Sequence, residues 1–482
     1  MSTETWARCA LRCGYALIIL ALMLVGCEAA PAGQPAIIVP AEQRTTTPEP
    51  EQNKERAITD PVTATSTPPP PLGGTPAMTP VPTLVPTLLP TADVTPGPAG
   101  TCGLLLPAVS NPVEPAVTAL NGNVSLTAVP EAVRPAVREM LDHPGRVSLV
   151  TYRVGEEADG LYLNADTPRP LASVVKIVHL VAYAQAVYAG ELDPNTPVLL
   201  SELDRFYLPN SDLRAHPNAL AALTEEGLVT GNPPAVPLET VPRMMIQYSS
   251  NAATDYLHLL LGQQRLEQTV RDLGLAGHTA PCPFLGQFIL MNNPERTVSG
   301  RTAVEQYRQD PRLYGVEVMD MTYRYANDPA FRAEVGGWRG RANRPGIDTQ
   351  RLFSAELNTM GSAQAYADLM ARIAMNELGP WEMNVLVRRY LEWPTFFDAN
   401  QEQMAWTGYK GGSLPGILTV AYYAQPWWRT QPAVVALFFQ DLPQSTYRAW
   451  RDDLPHDELA RWLLREPDAL PLLKSILQAD GP

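Results

Sequence analysis

Between Leu171 and Gly190 the chain is apolar at nearly every position, interrupted only by Ser173, Lys176, His179 and Gln185. This pattern predicts a buried helix from about 170 to 190, with Gly190 and the Glu-Leu-Asp after it as the stop. Upstream, a helix is expected over 131–142, then strands over 146–154 and 160–163 joined by an acidic, Gly-containing turn. Residues 191–236 are turn-rich and read as long loops. Helical spacing returns over 238–247, which delivers Tyr248-Ser249-Ser250-Asn251, and again over 252–261 and 264–273. From 276 to 356 short helical signals alternate with Arg, Gly and Pro, and the stretch is assigned only as a long insertion. Ser362 reads as the N-cap of a helix over 363–378. Strands follow over 404–410, 417–424 and 433–440, then helices over 454–465 and 471–479, the last with proline at its tolerated first position. Two early and three late strands with helices between them imply one sheet completed by both ends of a single α/β domain.

The first hundred residues have a different pattern. Arg8 and Arg12 precede an apolar run over 15–25, short for a bilayer span, so residues 1–27 read as an export signal. The segment Leu24-Val25-Gly26-Cys27 resembles the lipobox of bacterial lipoproteins, which implies cleavage before Cys27 and diacylglycerol on its sulfur. Residues 28–100 are Pro/Thr-rich, cannot bury a core, and are expected to form an extended tether. The folded domain is expected over 101–482, with a helical subdomain and insertion over about 190–400. A net charge of −14 and a pI near 5.0 argue against nucleic acid or an anionic surface as partner. Of 5 cysteines, Cys9 and Cys13 go with the signal and Cys27 with the lipid. Cys102 and Cys282 remain as an exported pair able to form a disulfide. The 6 histidines are scattered, and no metal is expected.

Chemistry enters with lysine usage. Of 36 basic residues only Lys54, Lys176, Lys410 and Lys474 are lysines, so surface charge is delegated to arginine, which does not titrate. A lysine retained in an apolar helix three residues from Ser173 can touch it on one face. Desolvation then makes its neutral, proton-accepting form accessible. A lysine snorkelling at a helix edge is the competing reading. Ser249-Ser250-Asn251 is open to a polar N-capping turn as well as a site, and Lys410-Gly411-Gly412-Ser413 to a glycine turn at a strand end. His179 is expected in the core, with Tyr207 and Tyr248 either lining a site or simply buried.

In order, Ser173-Val-Val-Lys176, Ser249-Ser-Asn251 and Lys410-Gly-Gly412-Ser413 resemble the Ser-x-x-Lys, Ser-x-Asn and Lys-[Thr/Ser]-Gly motifs of penicillin-binding proteins and class A β-lactamases. The resemblance covers roughly residues 130–480. It implies a β-lactamase/transpeptidase-like fold, a five-stranded antiparallel sheet flanked by helices with an all-helical subdomain. Ser173 is then the nucleophile, Lys176 its base, and Ser249 with Lys410 a proton relay to the leaving nitrogen. Asn251, Gly412 and Ser413 bind substrate, and the N–H groups of Ser173 and Ser413 form an oxyanion hole. Two departures stand out: Gly411 replaces a hydroxyl, and Ser250 an aspartate. The deacylating glutamate of class A enzymes lies in a Glu-x-x-Leu-Asn loop; Glu356-Leu357-Asn358 is a shorter echo that makes Glu356 the candidate base.

The expectation is an exported, membrane-anchored serine hydrolase forming an acyl-enzyme at Ser173, with β-lactam hydrolysis first. A D,D-peptidase acting on peptidoglycan stems comes second, and a catalytically silent cell-wall-peptide binder is the reading from another class. Expected partners are a β-lactam or stem peptide and, through the lipid, a membrane. No cofactor and no nucleic acid are expected, and the chain is expected to be a monomer.

Overall fold

The structure is a computed structural model that describes residues 101–107 and 125–478. The expected signal peptide, Cys27 and the tether of 28–100 lie outside the described residues. Strand β1 (Val147–Arg153) and β2 (Leu161–Leu163) come early; β3 (Met404–Leu414), β4 (Ile417–Pro426) and β5 (Ala433–Phe439) come late. They form one antiparallel sheet in the order β2-β1-β5-β4-β3. The two ends of the domain thus meet where β1 pairs with β5 in the middle of the sheet. Both are buried almost throughout, as runs such as Val-Val-Ala-Leu-Phe-Phe require: a strand covered on both faces has no polar side. β3 and β4 are joined by Pro415-Gly416, with Gly416 at φ 80°, the residue pair a tight turn needs.

Successive side chains of β5 point to opposite faces, and their partners identify the layers. Phe438 packs edge-on against Tyr366 of the helix Ala363–Ala374. Phe439 meets Trp450 of the helix Gln444–Asp453, and Tyr422 on that same face of the sheet hydrogen-bonds Asp457 at 2.8 Å. Helices therefore cover both faces.

Several boundaries move. β3 continues to Leu414, so Lys410-Gly-Gly-Ser lies within the strand and not after it. The helix capped by Ser362 ends at Ala374. The C-terminal helices are Gln444–Asp453, Pro455–Arg465 and Ala469–Gln478, which makes Pro471 the third helical residue and adds a helix the hydrophobic pattern did not reveal. The unassigned insertion is a stack of helices: Phe284–Asn292, Gly300–Gln309, Pro311–Asn327, Pro329–Gly337 and Ile347–Leu357. Asp310 and Asp328 each accept two backbone N–H groups at the start of a helix whose first residue is proline. Helices 284–292 and 311–327 touch at Gly286, where a Cβ would sit 2.0 Å from the Val318 carbonyl oxygen. Cys102 and Cys282 are disulfide-bonded inside the insertion's own apolar cluster.

Candidate active site

Ser173 is not in the regular helix its surroundings predict. It lies in a 3-10 turn, Ala172–Val175, and the α-helix starts at Lys176 and runs to Tyr188. The cause is Ala172, held at φ 48°, a left-handed conformation that costs a non-glycine residue energy. Three distant groups hold the turn. The side-chain oxygen of Asn358 accepts the Ala172 N–H at 3.0 Å, the Thr359 carbonyl accepts the Leu171 N–H at 2.9 Å, and the Thr419 hydroxyl donates to the Leu171 carbonyl at 2.9 Å. β3 presses against the same turn. A Cβ on Gly412 would fall 2.7 Å from the Ser173 nitrogen and 2.8 Å from the Leu171 oxygen, so only glycine permits this approach.

Lys176 is fully buried. Its ammonium donates to the Ser249 carbonyl at 2.6 Å, the Ser249 hydroxyl at 3.2 Å and Asn251 Oδ1 at 2.8 Å, and lies 4.9 Å above the Phe284 ring. Burial holds its pKa down to about 7, against the pull of the Asp212 and Asp255 carboxylates. Snorkelling is thereby excluded. Lys410, on β3 and 3 % exposed, donates to the Ser249 hydroxyl at 3.0 Å and to the Gly411 carbonyl at 2.6 Å. Burial, and then the neighbouring Lys176 charge, push its pKa well below the usual lysine value.

Ser249 therefore bridges the two lysines. Its φ of 64° turns the hydroxyl toward them, while Ser250 behind it caps the helix Asn251–Leu261 by accepting the Ala253 N–H at 3.1 Å. The capping and functional readings of this segment thus divide between adjacent serines. Ser250 is further held by His216 at 3.0 Å, and His216 by Asp204 at 3.1 Å.

Ser173 is half-buried, and among the described residues its hydroxyl makes no hydrogen bond. Ser413 follows Gly412 on β3, and its hydroxyl meets that of Tyr447 at 2.8 Å.

Glu356 is placed elsewhere. Near the end of helix 347–357, it is 37 % exposed and pairs with Arg308 at 3.3 Å, because the helix turns this carboxylate toward solvent and the insertion. Its neighbour Asn358 faces inward instead, bonded to Ala172 and to Gln287. The sequence reading missed Asn358, Thr419 and two acids. Asp255, fully buried, accepts the N–H groups of Phe284 and Leu285 at 2.8 and 2.7 Å, and burial lifts its pKa to about 7. Asp212 accepts the His216 N–H at 3.0 Å, and its other oxygen is buried without a partner. His179 is buried and pairs with His258 at 3.1 Å. Among the described residues no group of three His, Cys, Asp or Glu side chains is placed to hold a metal.

A desolvated lysine three residues after one serine, joined through a second serine to another lysine, is suited to moving a proton from an attacking hydroxyl to a leaving nitrogen. That chemistry is acyl transfer to serine, and the class it defines is the serine hydrolase. Residues 132–442, well over half of the chain, match the model of the β-lactamase enzyme family, and the chain belongs to that family. Among solved structures it is similar to a β-lactamase from Sphaerobacter thermophilus DSM 20745, at 17 % identity over 70 % of this chain and 97 % of that one, with a TM-score of 0.42. A class A β-lactamase from Mycobacterium abscessus shows 16 % identity over 68 % and 99 %, TM-score 0.39. PBP-A shows 15 % over 70 % and 98 %, TM-score 0.39. No curated protein matches.

Proposed function

We propose that this serine hydrolase is acylated at Ser173 by β-lactams, whose ring amide it opens, and that it acts outside the cytoplasm, held to a membrane through a lipid on Cys27. One observation carries the chemistry: the Ser249 hydroxyl lies within hydrogen-bonding distance of both buried lysines, at 3.2 and 3.0 Å. Neutral Lys176 takes the Ser173 proton as the oxygen attacks the carbonyl carbon. Ser249 then donates to the departing ring nitrogen and is reprotonated through the lysines. On this reading the oxyanion is assigned to the backbone N–H groups of Ser173 and Ser413, and the substrate amide to Asn251.

A second reading has its own observation. Glu356 is turned away to Arg308, and both oxygens of the buried Asp255 are engaged by backbone N–H groups. With Glu356 committed to Arg308, the acyl-enzyme on this reading persists, as a penicillin-binding D,D-peptidase requires.

Labelling with a fluorescent penicillin, followed by intact mass over time, tests both. A one-to-one adduct on Ser173 is the expected result. Its loss within minutes favours a lactamase and its persistence for hours a peptidase. No adduct on a folded protein overturns the acyl-enzyme reading and leaves the peptide binder.

A further inference from the structure

Beside the acylation machinery lies a cavity of about 840 Å³ that shares only Ser413 with it. This is toward the upper end of the roughly 300–1,000 Å³ in which proteins hold small ligands. One wall is the insertion, with Trp338 and Arg344. A second part of the lining is one face of helix 444–453, where Gln444, Tyr447, Arg448 and Arg451 recur at the helical i, i+3, i+4, i+7 spacing. Between them run Ser413, Leu414 and Pro415 at the end of β3, and the hydroxyl contact of Ser413 with Tyr447 joins strand to helix.

The charge of this cavity runs against that of the chain. The protein carries 50 acidic residues to 36 basic ones, yet the lining contains four arginines and no Asp, Glu or Lys. The Arg332 guanidinium is committed to the carbonyls of Tyr325 and Ala326. Among the described residues no carboxylate pairs with Arg344, Arg448 or Arg451, while other arginines of the same region do have partners, as Arg308, Arg341 and Arg351 show. Uncompensated guanidinium groups around an apolar floor suit an oxyanion on an apolar or aromatic stem.

Position fixes which part of a substrate would enter. Lys410 and Ser249 mark the leaving-group side of the scissile bond. Gly412 abuts Ser173, and the cavity begins one residue further along β3. It therefore opens on the acyl side. The Lys410 ammonium stays on the leaving-group side, where it is taken up by Ser249 and Gly411.

Resting on the acyl-enzyme reading, we propose that the cavity binds a carboxylate-bearing, aromatic or aliphatic arm on the acyl side of the substrate, held by Arg344, Arg448 and Arg451. Two penicillins with the same nucleus provide the probe: benzylpenicillin, and carboxybenzylpenicillin, which adds one carboxylate to the acyl arm. In the native protein the second-order rate of Ser173 acylation should favour the carboxylated compound by roughly tenfold, as a hydrogen bond to a charged group supplies. The preference should shrink with added salt. In Arg344→Gln/Arg448→Gln, two exposed positions whose change leaves the core untouched, the ratio should fall to about one. Calorimetric binding of both compounds to Ser173→Ala, with and without the arginine changes, gives the same comparison without acylation. Equal rates in the native protein, or a preference that survives the arginine changes, overturns the cavity assignment while leaving the hydrolase reading intact. Arginine-dependent binding of the carboxylated compound without acylation of native protein sinks the hydrolase reading and supports the cavity. Neither binding nor acylation overturns both.

Discussion

Lys176 has three oxygen acceptors and no exposed surface, and both conditions shape its chemistry. The acceptors orient the amine, while burial makes its neutral form accessible near pH 7. Acylation should therefore rise with pH along a limb with its midpoint near 7 and level off above it. A rate of fluorescent-penicillin acylation that is flat from pH 5.5 to 9 would remove Lys176 as the base. The same shift has a stability consequence. The folded pKa lies below the unfolded lysine value, so between about 7 and 10.5 the unfolded chain holds a proton that the folded one has released. Stability then rises with pH across that window, and the cost of burying the ammonium is felt in full below it. Lys176→Met tests the role directly. It removes the proposed base and leaves acceptors on Ser249 and Asn251 unpaired, but also removes a buried charge, so the melting temperature should move by only a few degrees while acylation falls roughly 10²–10⁴-fold. Arginine is a poorer probe, since a fully packed position has no room for a guanidinium.

Among the elements, the decisive contact is between β3 and the Ser173 turn. Gly412→Ala places a methyl 2.5 Å from the Thr419 hydroxyl oxygen, 2.7 Å from the Ser173 nitrogen and 2.8 Å from the Leu171 oxygen. Two of these are backbone atoms that cannot swing aside, so the turn must shift. Penicillin labelling should fall by roughly 10²-fold, the scale on which about 1 Å of misplacement acts, with the circular dichroism of the sheet preserved; unchanged labelling would show the turn to be more compliant than this packing implies. The sheet and the motif order were legible in the sequence because buried strands are unbroken apolar runs and because Ser-x-x-Lys is a local spacing. The turn was not legible. Ala172 is held in its left-handed conformation by Asn358 and by the packing of Thr419, 186 and more than 240 residues away, which no local propensity reports. The Glu356 assignment failed for a related reason: a spacing along the chain does not say which way a helix turns a side chain. The insertion's helices were hidden by interspersed Arg, Gly and Pro, although Asp310-Pro311 and Asp328-Pro329 were readable starts.

At the scale of the whole molecule, the Cys102–Cys282 bond links the segment before the domain to the insertion and, through it, to the site. It joins residues 180 apart, with Cα atoms 5.0 Å from one another. The adjoining segment is fastened by Gly103 N–H to the Ala280 carbonyl at 2.9 Å and Leu106 N–H to the His278 carbonyl at 2.9 Å. From Cys282 a chain of hydrogen bonds leads inward: its carbonyl accepts from Gln287 at 3.0 Å, Gln287 accepts from Asn358 at 3.2 Å, and Asn358 accepts the N–H of Ala172, beside Ser173. Two residues beyond Cys282 begins the helix whose Phe284 ring lies under Lys176 and whose first N–H groups hold Asp255. The bond thus stands at the base of the support for both Ser173 and Lys176. Closing a loop of this length stabilises by at most about 5 kcal/mol in the chain-entropy model. Cys102→Ser should accordingly lower the urea midpoint measurably, and at concentrations of urea well below unfolding it should slow Ser173 acylation. Gln287→Ala separates the two effects. It breaks the inward chain but leaves the cross-link, so it should slow acylation with a smaller loss of stability, roughly 1–3 kcal/mol. If Cys102→Ser lowers stability yet acylates at the native rate in the folded state, the bond braces the insertion alone and the inward chain does not reach the chemistry.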